Sequence, residues 1–252
     1  MASHDSSRWI RRFHPRADAE HRLVCFPHAG GSASFFHPLS AGMAPSIEVL
    51  AVQYPGRQDR RHEEVLDDIT ELADHLAEVL LDWTARPLTF FGHSMGATVA
   101  FEVARRLERR GVVPVGLFAS ARRAPSCLRD EAVHRTSDEE LIREIAALDG
   151  TPPALLSDEE LLRLILPAVR GDYKAAETYR YQPGPDVNCP ITAVIGDTDP
   201  KVTPAEARAW ARHTTGEFAL RVLPGGHFYL REHLSTVIDA ISDHVRATTT
   251  RS

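Results

Sequence analysis

"LTFFGHSMGATVAFEVARRL", residues 88–107, decides how the chain is read. The apolar run Leu88–Phe91 has the length and content of a buried strand and stops at Gly92. The apolar spacing from Ala97 to Arg110 is that of a helix, which Gly111 ends. Between the two, Ser94 stands two residues from a glycine on either side, Gly92 and Gly96. A strand that turns abruptly into a helix forces its central residue into a strained backbone conformation. Small neighbours let strand and helix approach, and the side chain at the tip is held out above the sheet edge. This is the G-x-S-x-G turn of a serine nucleophile, in the strand–turn–helix setting it requires. It also puts Ser94 at a helix N-terminus, where free N–H groups favour developing negative charge.

The same rhythm runs outward in both directions. Further strands are expected at Leu23–Phe26, Val49–Tyr54, Val115–Ala119, Ile191–Gly196 and Phe218–Leu223. Helices are expected at Ile69–Trp83, at Thr203–His213 with Thr203 as N-cap and Pro204 following, and at Leu230–Arg246. Strands separated by helices predict an α/β protein, with a mostly parallel sheet covered by helices on both faces. Residues 122–182 break the pattern. SDEELIREIAAL and SDEELLRLILPAV each open with a helix-start signal, and no strand is legible. This segment is expected to be a helical subdomain inserted into one domain spanning 21–252, of the kind that serves as a lid. Residues 1–20 read as an N-terminal extension without an assigned role.

Composition narrows the function classes. The chain has 252 residues, 43% hydrophobic and 25% charged, enough for one sizeable core. A net charge of −6 argues against nucleic acid as the main partner. Cys25, Cys127 and Cys189 are odd in number and widely spaced, and form neither a disulfide framework nor a zinc motif. No stretch is apolar enough to span a bilayer, and the N-terminus lacks a signal-peptide core. A cytoplasmic setting, no membrane partner, no metal and no cofactor are expected.

A serine hydroxyl needs a base. With this type of turn the acid and then the histidine follow the serine along the chain. His227, in "LPGGHFYL" after the last strand, is the candidate base among 13 histidines. His213 and His233 read as surface residues. "GDTDP" after the preceding strand offers Asp197 and Asp199. Asp199, further into the loop, is favoured, while Asp197 is placed to cap the turn. The oxyanion donors are expected to be the N–H of Met95 and one from "CFPHAGGSASFF", with Ala29 ahead of Gly30. A phosphate-binding loop is the competing reading of that glycine pair, but the lysine it needs is missing.

FPHAGG (26–31), YPGR (54–57), GHSMGA (92–97), SARRAP (120–125), GDTDP (196–200) and GGHF (225–228) together resemble the type II thioesterases. Those are stand-alone α/β-hydrolases associated with polyketide and nonribosomal peptide synthases. The resemblance covers about residues 20–245. It implies a Ser94–His227–Asp199 triad, Ala29 and Met95 as oxyanion donors, and a helical lid at 122–182. It also implies a substrate class: acyl groups, aberrant or stalled, on the phosphopantetheine arms of acyl or peptidyl carrier proteins. The alternatives are a general carboxylesterase or acyltransferase on small esters, and a non-catalytic binding protein of the same fold. Carrier proteins of this kind are generally acidic, so docking would need a local basic patch. Arg57, Arg60, Arg61, Arg122 and Arg123 are the candidates, with a structural role as the alternative for Arg57 and Arg123, which lie within the motifs.

Overall fold

The structure, a computed structural model, describes residues 6–150 and 158–249. Its strands are β1 (Ile10–Arg11), β2 (His21–Phe26), β3 (Ile47–Val52), β4 (Leu88–His93), β5 (Gly116–Ser120), β6 (Ile191–Gly196) and β7 (Phe218–Leu223). Among the described residues they form one sheet in the order β1-β3-β2-β4-β5-β6-β7. Strands β2 to β7 run parallel, and β1 lies antiparallel to β3. The α/β architecture with a mostly parallel sheet is as the alternation predicts.

Side-chain alternation along these strands builds two cores. Val24, Phe26, Leu50 and Phe90 face one side, packing with α3 (Ile69–Leu81) and α4 (Met95–Glu108). Leu23, Cys25, Val49 and Phe91 face the other, against α2 (His37–Met43) and α8 (Leu234–Thr249). With both faces covered, β4 is buried at every position, while the edge strand β7 is half-exposed. Helix α2 has no sequence signal: it is seven residues long and contains Pro38 and Gly42. Gly42 lets α8 approach closely, since a Cβ there would meet the tip of the Ile238 side chain.

The N-terminal residues, silent in the sequence, have a place. Ile10 pairs with Val52, and Trp9, the last residue of the short α1 (Ser6–Trp9), is buried, stacking on His75 with the Arg60 guanidinium 4.2 Å from its ring centroid. Between β5 and β6 come α5 (Asp138–Ala147) and α6 (Glu159–Thr178). Ser137 caps α5 with a full capping box, and Asp158 caps α6. Ser157, the start expected for the second helix, lies outside the described residues. Leu141, Leu162, Leu166 and Val169 give this segment a small core of its own. Thr203 caps α7 (Pro204–Arg208) as expected, but Ala209–His213 tightens into a 3-10 turn. Helix α8 starts at Leu234, so His233 precedes it. Among the described residues no helix is long and apolar enough to cross a membrane.

Candidate active site

Ser94 sits between the last residue of β4 and the first of α4, with φ 53° and ψ −121°. Positive φ is costly for a residue with a Cβ, and the surroundings enforce it. A Cβ on Gly92 would strike the Gly96 carbonyl and the Ala97 backbone; one on Gly96 would strike the Phe26 and Pro27 carbonyls. The two glycines therefore let helix α4 close onto the end of the sheet. The Ser94 N–H donates to the Ser120 carbonyl of β5 at 2.8 Å, fixing the turn to the neighbouring strand.

His227 Nε2 lies 2.9 Å from Ser94 Oγ. On its other side Nδ1 lies 3.0 and 2.9 Å from the two Asp199 carboxylate oxygens. That pairing puts the proton on Nδ1 and leaves Nε2 free to accept from the serine hydroxyl. His227 and Asp199 are both buried, and the Lys201 N–H donates to Asp199 Oδ1 at 2.8 Å. Asp197 does a different job: its Oδ1 accepts from the Gly225 N–H at 2.9 Å. It ties the loop after β6 to the loop that carries His227. Gly196 allows that contact, since a Cβ there would meet the Gly225 and Gly226 carbonyls.

Ala29 and Met95 line the same pocket as Ser94 and His227. Met95 opens helix α4, so its N–H has no intrahelical acceptor. In the 26–31 loop the neighbouring donors are engaged: Gly30 N–H donates to Asp172 Oδ2 at 2.7 Å and Gly31 N–H to the His28 carbonyl at 2.9 Å. The Ala29 N–H has no partner among the described residues, which separates it from Gly30. Asp172, on α6, is fully buried and also takes both Arg57 terminal nitrogens, at 2.5 and 2.9 Å. One carboxylate thus joins the 26–31 loop, the YPGR turn and the inserted helix. Sequence reasoning missed it, because nothing marks one aspartate of an amphipathic helix as buried.

A second missed group surrounds His227. His93 is fully buried, its Nδ1 2.8 Å from Ser120 Oγ, which lies 2.6 Å from the Tyr229 hydroxyl. The ring centroids of His93 and His227 are 5.4 Å apart, and those of His93 and His28 5.7 Å. Burial, then the charge of His227, pushes the His93 pKa well down and that of His28 to about 3. Both stay neutral beside His227.

Two sequence expectations fail. His213 is buried, with Nε2 2.8 Å from Ser126 Oγ and Nδ1 3.3 Å from Asp186, so it is no surface residue. The arginine patch is largely internal. Arg57 pairs with Asp172, Arg60 with Glu63, and Arg123 with Glu131, all three guanidiniums being buried. Arg61 is exposed, and Arg122 lines the pocket.

A parallel sheet with a serine at a strand–helix turn and a histidine after the last strand defines the α/β-hydrolase class. The chain belongs to the thioesterase family, whose domain model matches residues 21–245. It is 52% identical over 246 residues to the thioesterase PikA5 of Streptomyces venezuelae, covering 97% of this chain and 88% of that one. A probable cadicidin biosynthesis thioesterase of Streptomyces griseus is also 52% identical, over 236 residues, 94% of this chain and 65% of that protein. The solved structure of the type II thioesterase BorB, from the borrelidin biosynthetic cluster, superimposes with a TM-score of 0.89 at 56% identity. It covers 94% of this chain and 97% of that one. The resemblance to type II thioesterases read from the motifs holds, and the protein is an enzyme that hydrolyses thioesters.

Proposed function

We propose that this thioesterase clears acyl groups, aberrant or stalled, from the phosphopantetheine arms of acyl or peptidyl carrier proteins in polyketide or nonribosomal peptide assembly, in the cytoplasm. The observation that carries the chemistry is the continuous chain Ser94 Oγ–His227–Asp199 at the end of the sheet. Ser94 attacks the thioester carbonyl while His227 Nε2 takes its proton. The Met95 and Ala29 N–H groups meet the oxyanion, and Asp199 stabilises the imidazolium. His227 then protonates the departing thiolate and activates water to release the acid. A thioester suits this machinery, having less resonance stabilisation than an amide and a good leaving group. The 122–182 insertion acts as the lid over the pocket.

Ser94→Ala tests the assignment. Turnover should fall on the order of 10⁴-fold or more, with the thermal transition kept. An active-site phosphonate should label the parent protein at Ser94 and leave the variant unmodified. Near-parental turnover in the purified variant removes Ser94 as nucleophile. The substrate class is tested by comparing acyl-carrier proteins with p-nitrophenyl esters of the same acyl group. A preference for the small ester would return the chain to the carboxylesterases.

A further inference from the structure

The pocket around Ser94 and His227 has two sides of unlike chemistry. One side, past His28 and Ala29, is apolar and lined by Ile145, Ile165, Val169 and Phe228. The other is polar and passes Arg122 and Glu177. A neighbouring cleft continues from Arg122 along α6 to Arg180. Helix α6 supplies wall to both through Ala176 and Glu177, with Tyr173 on the inner side and, just past the end of the helix, Tyr179 and Arg180 on the outer.

Arg122 is the unusual residue there. Its Nε donates to Thr98 Oγ1 at 3.1 Å and its Nη2 to the Ala176 carbonyl at 3.3 Å. Both acceptors are neutral. The nearby Arg57, Arg123 and Arg129 each hold a carboxylate. Arg122 has none among the described residues, and its Nη1 has no acceptor among them. Burial, with the Arg123 charge beside it, brings its pKa down to about 10. A half-buried guanidinium that no carboxylate hydrogen-bonds, with Glu131 acting on it only at a distance, keeps donor capacity for a ligand. At the outer end Arg180 is exposed and donates to the carbonyls of Glu177 and Tyr179, again without a carboxylate.

We infer that this polar cleft binds the non-acyl half of the thioester, an extended amide-bearing arm that ends in a phosphodiester. Arg122 donates to an amide carbonyl of the arm near Ser94, and Arg180 meets the phosphate at the mouth. The acyl chain lies on the apolar side. An aliphatic acyl group offers Arg122 no acceptor, whereas an arm amide offers one. This rests on the thioesterase reading above and assigns the two halves of its substrate to the two halves of the pocket.

Arg122→Gln, Arg122→Lys and Arg180→Gln are assayed on propionyl-pantetheine, propionyl-phosphopantetheine, malonyl-pantetheine and p-nitrophenyl propionate. For Arg122→Gln, kcat/KM on propionyl-pantetheine should fall about 10- to 100-fold relative to the ester, which has no amide, the worth of one charge-assisted hydrogen bond. Arg122→Lys, which keeps the charge, should lie between. Arg180→Gln should raise KM for the phosphorylated thioester several-fold and leave the dephosphorylated one behind. Equal losses on ester and thioester would make Arg122 a wall residue and overturn the assignment. A loss confined to malonyl-pantetheine would overturn it too, placing an acyl carboxylate at Arg122. Failure of the thioesterase reading is visible separately, as a parent protein that hydrolyses the ester better than any of the thioesters.

Discussion

Ser94 owes its geometry to two glycines that bring no side chain of their own. Its positive φ costs about 1–3 kcal/mol, and the Gly92 and Gly96 contacts with the 26–27 and 96–97 backbone hold it there. The acids after β6 divide their work in the same way. Asp199 faces His227, while Asp197 ties down the loop that presents it. An asparagine at 199 can turn its amide N–H₂ toward Nδ1 and favour the wrong tautomer. Asp199→Asn should therefore lose on the order of 10⁴-fold in kcat. Asp197→Asn keeps an oxygen for the Gly225 N–H and should lose far less. Steady-state kinetics of both variants check this, and a larger loss at Asp197 would reverse the assignment.

The elements meet at Asp172. Helix α6 belongs to the insertion, yet through this side chain it is hydrogen-bonded to Gly30, next to Ala29, the proposed oxyanion donor. It also neutralises the buried Arg57. If α6 swung away as a unit, the 26–31 loop would lose this anchor. Asp172→Asn should leave Arg57 buried without a counter-charge and cost about 3–5 kcal/mol of stability. Assayed well below its melting transition, the variant should lose about tenfold or more in kcat with little change in KM, because the oxyanion donor is displaced and not the substrate wall. Asp172→Glu, which keeps the charge, should recover part of the stability. Parental kcat in Asp172→Asn would separate the ion pair from catalysis.

Taken whole, the molecule is sensitive to acid through its interior histidines. Burial lowers the pKa of His93 and His28 below the ordinary 6.5. Below pH 6.5 the unfolded chain binds protons that the folded one refuses, so stability falls as pH falls. Each group contributes up to about 1.4 kcal/mol per pH unit. The paired carboxylates Glu63 and Glu102 have lowered pKa values, and their contribution is lost only below the ordinary carboxylate range. Between pH 6.5 and 5 the histidines therefore dominate. Urea unfolding at pH 7.5 and 5.5 should show a clear drop at the lower pH, and His93→Gln should reduce it. A flat profile would mean that these rings protonate in place.

What the sequence determined by itself is what local physics encodes. Apart from the short α2, strand and helix periods were legible from β2 to α8, as were the turn chemistry at Gly92–Gly96 and Thr203 as a cap. The chain order serine, aspartate, histidine picked out three residues that the structure brings within hydrogen-bonding distance. Tertiary structure decided everything that depends on a partner far along the chain. Arg57 and Arg60 look like a solvated basic cluster until Asp172, 115 residues from Arg57, and the Trp9 ring bury them. His213 looks exposed until Ser126 and Asp186 take its nitrogens. Gly30 stands close behind Ala29 as a candidate donor until Asp172 engages its N–H. In each case an isolated residue has the same local signal whether buried or exposed. Its burial, and so its chemistry, is set by a distant counter-charge or acceptor that only the folded chain supplies.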